Sequence, residues 1–308
     1  MLRIRVTEET LADLYKEQEM RTPTHFSIGQ EAVAVGTCAA LNPDDVIYSG
    51  HRCHAHYLAK GGDLFGMVAE LYGREAGCAH GRGGSVHLND PGAGVMASSA
   101  ILGETMAVAV GSAWAFRMDA SARIAACFFG DGAAEEGIFH ETLNFAAVRQ
   151  VPVLFVCENN LYSTHTPLEV RQPKGIEIWE RARTYQMPSR QVDGNDVFAI
   201  AEAAREAVAW CRREQAPYFL ECLTYRWREH VGPLWDWDAG YRSKAEVDAW
   251  IDRCPIKRAE TLLVTEGACA PEEIEDWRRE FQSLVDRAVV QAKSSPFPAV
   301  AELLAGTY

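Results

Sequence analysis

The sequence predicts an α/β protein: a mostly parallel sheet between two layers of helices, followed by a helical C-terminal tail. Three observations predict it. Short apolar runs recur at "RIAACFFG" (123–130), "VPVLFVCEN" (151–159) and "APYFLECLTYRW" (216–227). Their near-continuous apolarity suits strands buried on both faces. Stretches of helical period separate them, as the crossovers of a parallel sheet require. After about residue 243 the chain is charged and helical, as in "EEIEDWRREFQSLVDRAVVQA". We read 1–242 as one domain and 243–308 as its helical extension.

Apolar spacing predicts a helix over about 7–20 and a second near 29–41, through "GQEAVAVGTCAAL". "GDLFGMVAELYG" reads as a third, amphipathic one. Residues 77–103 are rich in Gly, Ser and Ala and read as a long ordered loop, a class that is usually functional. "ETMAVAVGSAWAFRM" returns to helix, with small residues that permit close packing. Between the first two strands, "EGIFHETLNFAAVRQ" places Phe139, Leu143, Ala146 and Ala147 on one helical face. Before the third, "VFAIAEAAREAVAWCRR" carries a stripe at 197, 200, 201, 204 and 208.

The bulk numbers exclude some functions. The 308 residues are 48% hydrophobic, enough for a substantial core. A net charge of −13 argues against nucleic acid or an anionic membrane as a general partner. No apolar run approaches membrane-spanning length, and no secretory signal is expected from the opening residues. Nine dispersed cysteines without a CxxC pair read as reduced thiols in a cytoplasm.

In open parallel sheets, ligands sit outside the carboxyl ends of the strands. Two loops there are unusual: "GDGAAEEG" (130–137) and "ENNLYST" (158–164). Gly130 and Gly132 would let the backbone turn sharply and approach a ligand, and the following helix start would offer N–H groups to a phosphate. Asp131 offers a hard oxygen to a cation. With an Asn amide oxygen, a backbone carbonyl and phosphate oxygens it would complete an octahedral Mg²⁺ site. Gly-Asp-Gly alone is also a common turn; its pairing with "NN" one crossover later is the rarer feature. "HRCHAH" (51–56) at first suggests zinc. Ligands this dense on one segment rarely converge, and structural zinc sites draw pairs from two segments.

"GDG" followed about thirty residues later by "NN" is the thiamine diphosphate signature. With "HFSIGQEAVAVG", "HRCHAH", "GCAHGRGGSVH", "VDGNDV" and "LTYRW", the chain resembles the alpha subunit of the thiamine-dependent first component of 2-oxo-acid and acetoin dehydrogenase complexes. The resemblance implies the thiamine diphosphate-binding fold. It also implies Asp131, the Asn160 side chain and the Tyr162 carbonyl as Mg²⁺ ligands, with Asn159 bracing the turn. Gly130, Gly132 and Ala133 would form the diphosphate cradle. Arg52 would pair with the diphosphate, beside His51, where many relatives have Tyr. Leu102, in "SSAILG" (98–103), would offer backbone contacts to the aminopyrimidine. His25 would line the substrate cavity, and His230, both catalytic and cofactor-binding, would stand near the diphosphate and the reacting centre. His54 is read as a possible support of the Arg52 loop, His56 as structural, and Glu135 and Glu136 as a helix start.

The Glu carboxylate that activates the aminopyrimidine in this family belongs to a separate beta subunit. The resemblance therefore implies an alpha2–beta2 heterotetramer, a small-molecule carbonyl substrate and a lipoyl acyltransferase as acceptor. The loop "YRWREHVGPLWDWDAGYR" departs from the family around His230. It leaves open a transketolase-like or carboligase reaction, and a role for Arg228, Trp235 and Trp237 at the substrate. Arg228 is read as more readily paired with Glu229 or a partner's Asp than as a substrate ligand.

Overall fold

Eight strands are present in the computed structural model, which describes residues 1–302; the last six residues of the expected C-terminal extension lie outside it. They are β1 (Val46–Ser49), β2 (Val95–Ser98), β3 (Ala125–Gly130), β4 (Val153–Asn159), β5 (Tyr162–Ser163), β6 (Thr166–Pro167), β7 (Ser189–Asp193) and β8 (Tyr218–Leu223). Six form one sheet in the order β2-β1-β3-β4-β8-β7, with every pairing parallel. β5 and β6 make a separate small hairpin. β3, β4 and β8 are the three apolar runs. β2 corrects the reading of 77–103 as loop throughout. β7, sequence "SRQVD", is an edge strand, where polar residues are tolerated.

Both faces of the sheet are covered. Ala126, Phe128, Leu154 and Val156 point into one core; Ala125, Cys127, Phe129, Val153 and Phe155 point into the other. That alternation, with both sets buried, explains the continuous apolarity. The first core takes α1 (Leu2–Leu14), α2 (Glu31–Cys38), α3 (His54–Lys60) and α4 (Leu64–Leu71). The second takes α5 (Glu104–Met118) and α6 (Gly137–Arg149). Beyond the hairpin, α7 (Leu168–Arg171) is a single turn and α8 (Ile178–Arg183) joins the second core. α9 (Val197–Glu214) returns to the first and packs on α2. The tail is α10 (Lys244–Asp252), α11 (Pro255–Thr265) and α12 (Pro271–Ser294), with α12 lying against α1 and α4.

Two helix boundaries differ from expectation. The first helix spans 2–14 rather than 7–20. A single 3₁₀ turn follows, and Gln18 is left-handed (φ 58°), in a polar stretch with no apolar face to bury. The second starts only at Glu31, because Gly29 (φ 99°) breaks the helical path before it, and ends at Cys38.

The connectivity places the ligand crevice. From β1 the chain runs outward to β2, then returns to lay β3 on the opposite side of β1. The loops leaving β1 and β3 therefore diverge, and a cleft opens between their carboxyl ends.

Candidate cofactor site

The cleft holds a cavity of about 280 Å³. β1 leads into Gly50, His51 and Arg52; β3 into Asp131, Gly132 and Ala133; β4 into Asn160 and Tyr162. His25 enters from the segment before α2, Leu102 from the segment before α5, and His230 from the loop after β8. All the residues expected at the site, with Gly130, line this one cavity.

Arg52 sets its electrostatics. The guanidinium is buried, donating to the backbone oxygens of Phe26 (2.5 Å) and His230 (3.3 Å). Among the described residues it makes no ion pair. Burial, reinforced by Arg226, pushes its pKa down to about 9. A buried cation without a carboxylate is costly unless an anion joins it. Burial and then Arg52 hold the His51 imidazole down at about 4, and His25 and His230 at about 2 and 3. All three are neutral at pH 7.

Asp131 is also buried. Its Oδ1 accepts the N–H of Asn160 (3.3 Å), and its Oδ2 is closed by Arg171, which also meets Glu135. Burial pushes the Asp131 carboxyl up, and Arg171 opposes that shift. The Asn160 Oδ1 accepts the Tyr162 N–H (3.2 Å), while its amide donates to Gln30 (3.3 Å). Asn159 braces the turn, donating to Glu221 (2.7 Å) and accepting the Leu161 N–H (3.1 Å).

The glycines act differently from expectation. Neither Gly130 nor Gly132 has positive φ, so neither supplies a left-handed turn. At Gly132 a Cβ would fall 2.6 Å from Ser163 Oγ and 3.1 Å from its Cβ, so any side chain there would have to displace Ser163. At Gly50 and Gly130 a Cβ would meet nothing within 4 Å, which leaves an open cradle beside Arg52 and Asp131. The segment after β3 is a 3₁₀ turn, Asp131–Glu135, and α6 begins two residues later, at Gly137. Glu136 stands at the N-cap position of that helix without a side-chain capping bond, whereas Glu135 is tied to Arg171 and Gln172.

The "HRCHAH" side chains diverge, so they form no zinc site among themselves. His54 does not line the cavity. Its Nδ1 is hydrogen-bonded to the Glu8 carboxylate (3.0 Å) and its Nε2 to Ser85 Oγ (2.8 Å). His56 stacks on Phe128 (4.1 Å) and bonds Ser49 (2.8 Å), with one edge at the cavity wall. Glu8 also accepts the Ser27 N–H (2.9 Å), and Arg5 clamps Glu31 (2.6 and 2.9 Å), which accepts the Gly29 N–H (3.1 Å). These bonds fix the segment that carries His25.

The loop after β8 corrects one reading. Arg228 lies outside the cavity and, among the described residues, makes no ion pair with Glu229. It stacks over Trp235 (4.2 Å) and donates to Pro233 (3.1 Å). Trp235 packs on Trp237 (4.6 Å), and neither ring lines the cavity. Arg171, by contrast, escaped the sequence reading. "LEVRQ" carries no motif, and the pairing spans 40 positions.

The residues fit a diphosphate: an unpaired buried cation, an orphaned His25 Nδ1 and an open glycine cradle. The Asp131 and Asn160 oxygens suit a hard divalent cation, provided that Arg171 gives way.

Over residues 1–301 the chain matches the family described as dehydrogenase E1 component. It is similar to the alpha subunit of acetoin:2,6-dichlorophenolindophenol oxidoreductase from Bacillus subtilis (strain 168). Identity is 38%, covering 100% of this chain and 91% of that protein. It is 35% identical to the pyruvate dehydrogenase E1 component subunit alpha of Porphyra purpurea, covering 98% and 89%. It is 36% identical to that of Rhizobium meliloti (strain 1021), covering 98% and 86%.

Proposed function

The chain belongs to the dehydrogenase E1 component family, and from that premise we propose that it is the alpha subunit of a thiamine diphosphate-dependent oxidoreductase acting on a 2-oxo acid or acetoin. One observation carries the reading: Arg52 is a buried cation without a counter-ion, in a cleft whose other wall holds Asp131 and Asn160. Bound there, the cofactor would supply a carbon nucleophile for chemistry at the substrate carbonyl.

Arg52 and His51 hold the diphosphate, with the backbone N–H groups of Gly132 and Ala133. Asp131, Asn160 and the Tyr162 carbonyl hold Mg²⁺. Leu102 meets the aminopyrimidine through its backbone. His25 and His230 stand at the reacting end as neutral imidazoles. Each can donate one N–H to a carbonyl oxygen and accept a proton on the other nitrogen.

A beta subunit completes the site in an alpha2–beta2 heterotetramer, and a lipoyl acyltransferase takes up the acyl group. In support, α5 presents Val108, Trp114 and Met118 to solvent, with Ile101 and Leu102 exposed at the cavity wall. Such an apolar stripe marks a partner surface. All nine cysteines are unpaired, which suits the reducing cytoplasm. No helix among the described residues is long and apolar enough to cross a membrane.

The test is reconstitution with the cognate beta chain, thiamine diphosphate and Mg²⁺. Reduction of dichlorophenolindophenol with acetoin, pyruvate or a branched 2-oxo acid is expected from the pair and not from this chain alone. Turnover by the lone chain would overturn the split site. Carbon–carbon exchange between sugars without dye reduction would favour the transferase reading instead.

A further inference from the structure

Among the nine histidines, three stand apart. We propose that His25, His51 and His230 form a three-imidazole site for a transition-metal ion of the zinc class, distinct in chemistry from the oxygen set at Asp131 and Asn160.

The three come from separate segments and converge. One nitrogen from each lies within 4.8 Å of the other two. Ring centroids are 4.5 Å (His25–His51), 5.0 Å (His25–His230) and 5.4 Å (His51–His230) apart. The interplanar angles are 63°, 84° and 63°, so the rings meet edge-on rather than stacked. Among the described residues no hydrogen bond reaches a ring nitrogen of any of the three, and the His25 Nδ1 is wholly buried without one. His54 has both ring nitrogens hydrogen-bonded and His56 has one. The His25 Nδ1 in particular is left without a partner inside the fold.

Imidazole is a preferred zinc ligand, and three with an open fourth position is an established coordination set. Zinc–nitrogen bonds of about 2.0–2.1 Å place neighbouring nitrogens about 3.3 Å apart. Closing from at most 4.8 Å is within reach of imidazole rotation.

Arg52 opposes a bare cation, so the fourth ligand must be an anion: a hydroxide or one oxygen of inorganic phosphate. That charge would face the guanidinium and offset it. Magnesium, which takes oxygen ligands, would not fill the site.

The site lies at the cavity wall where the functional reading places the diphosphate beside His51. Zinc and cofactor then exclude one another, and zinc acts as a reversible blocker of the cofactor-free subunit. The exclusion rests on that reading; the metal binding does not.

The experiment uses the full chain freed of metals and cofactor, with excess Mg²⁺ present. Co²⁺ titration should give one ion per chain and the visible d–d absorption of four-coordinate cobalt, without a sulfur-to-cobalt band. Zn²⁺ should displace it, its affinity set by competition with a chromophoric chelator. His51→Tyr and His230→Gln, each checked by thermal melting, should weaken zinc by about tenfold or more. A cobalt–sulfur band, no stoichiometric binding, or unchanged zinc affinity in both variants would overturn the site. Thiamine diphosphate should release the ion, as read by the chelator; cofactor bound beside retained zinc would overturn the exclusion. Zinc binding with no cofactor binding, even in the reconstituted complex, would leave the metal site standing and sink the functional reading.

Discussion

Arg171 closes on Asp131 with one arm of its guanidinium and on Glu135 with the other. The carboxylate proposed to bind Mg²⁺ is thus already neutralised by a cation of the chain itself. Metal must displace that arm, and Glu135 remains to hold it. Arg171→Gln is expected to tighten Mn²⁺ binding to the cofactor-free protein by about tenfold, because a charge-assisted hydrogen bond no longer competes. Mn²⁺ paramagnetic resonance reads this directly. Unchanged or weaker binding would show that Arg171 orients Asp131 for metal instead.

Arg52 is carried at a cost in the empty cavity and is useful only with an anion. Arg52→Met should melt at least as high as the parent without cofactor. In the reconstituted complex it should lose about tenfold to a hundredfold in cofactor affinity, the scale of a charge-assisted bond. Arg52→Lys should recover only part of this, since an ammonium lacks the planar fork. Calorimetric melts and titrations check both halves. A large loss of stability without cofactor would refute the trade.

Glu70 organises the glycine-rich segment that precedes β2. Its Oε2 accepts the N–H groups of Ala79 and Gly81 (both 2.8 Å), and its Oε1 those of Gly83 (2.7 Å) and Gly84 (3.0 Å). A Cβ at Gly77 would stand 2.3 Å from Oε2, so glycine is required there. Glu70→Ala should destabilise the protein by roughly 2–4 kcal/mol. Amide exchange should accelerate chiefly over 78–86; uniform acceleration along the whole chain would contradict a local role.

Asp236 binds three partners, Arg226, Arg242 and Tyr241. Burial alone would raise its carboxyl, but the Tyr241 hydrogen bond and the charges of Arg242 and Arg226 outweigh it and hold it below the usual range. The folded state therefore binds this proton less readily than the unfolded state. The pair's stabilisation is present above the unfolded value, about 3.9, and is lost as pH falls through the lower folded one. Asp236→Asn should be destabilised by roughly 3 kcal/mol at pH 7, with two arginines left buried. The gap to the parent should shrink below pH 4. A constant gap from pH 7 to 3 would exclude this carboxylate as its source.

The central strands were legible because two-sided burial makes β3, β4 and β8 apolar at nearly every position, Glu158, Asn159 and Glu221 excepted. β1 is only four residues long, β2 lies in a segment whose glycines mask it, and β7 is polar at the sheet edge; their strand character comes from neighbours, not from local pattern. Arg52, Asp131 and Asn160 were legible through motifs at strand ends. Arg171 and Glu8 were not, because their roles exist only once segments 40 and 46 positions away fold back upon them. The turn at Gly132 was visible, but the close approach of Ser163 to it was not.

The His25 segment is held by Arg5 and Glu8 of α1, and α1 in turn lies on α12. On the ribosome these two helices emerge far apart, with the chain from Leu14 to Pro271 made between them. At roughly 5–20 residues per second, α1 waits on the order of tens of seconds for its partner. Its apolar residues Ile4, Leu11 and Ala12 lack their final packing throughout. The cavity wall is thus sealed late, by a long-range closure, and nascent chains stalled before α12 should be open to proteases and held by chaperones at their first helix.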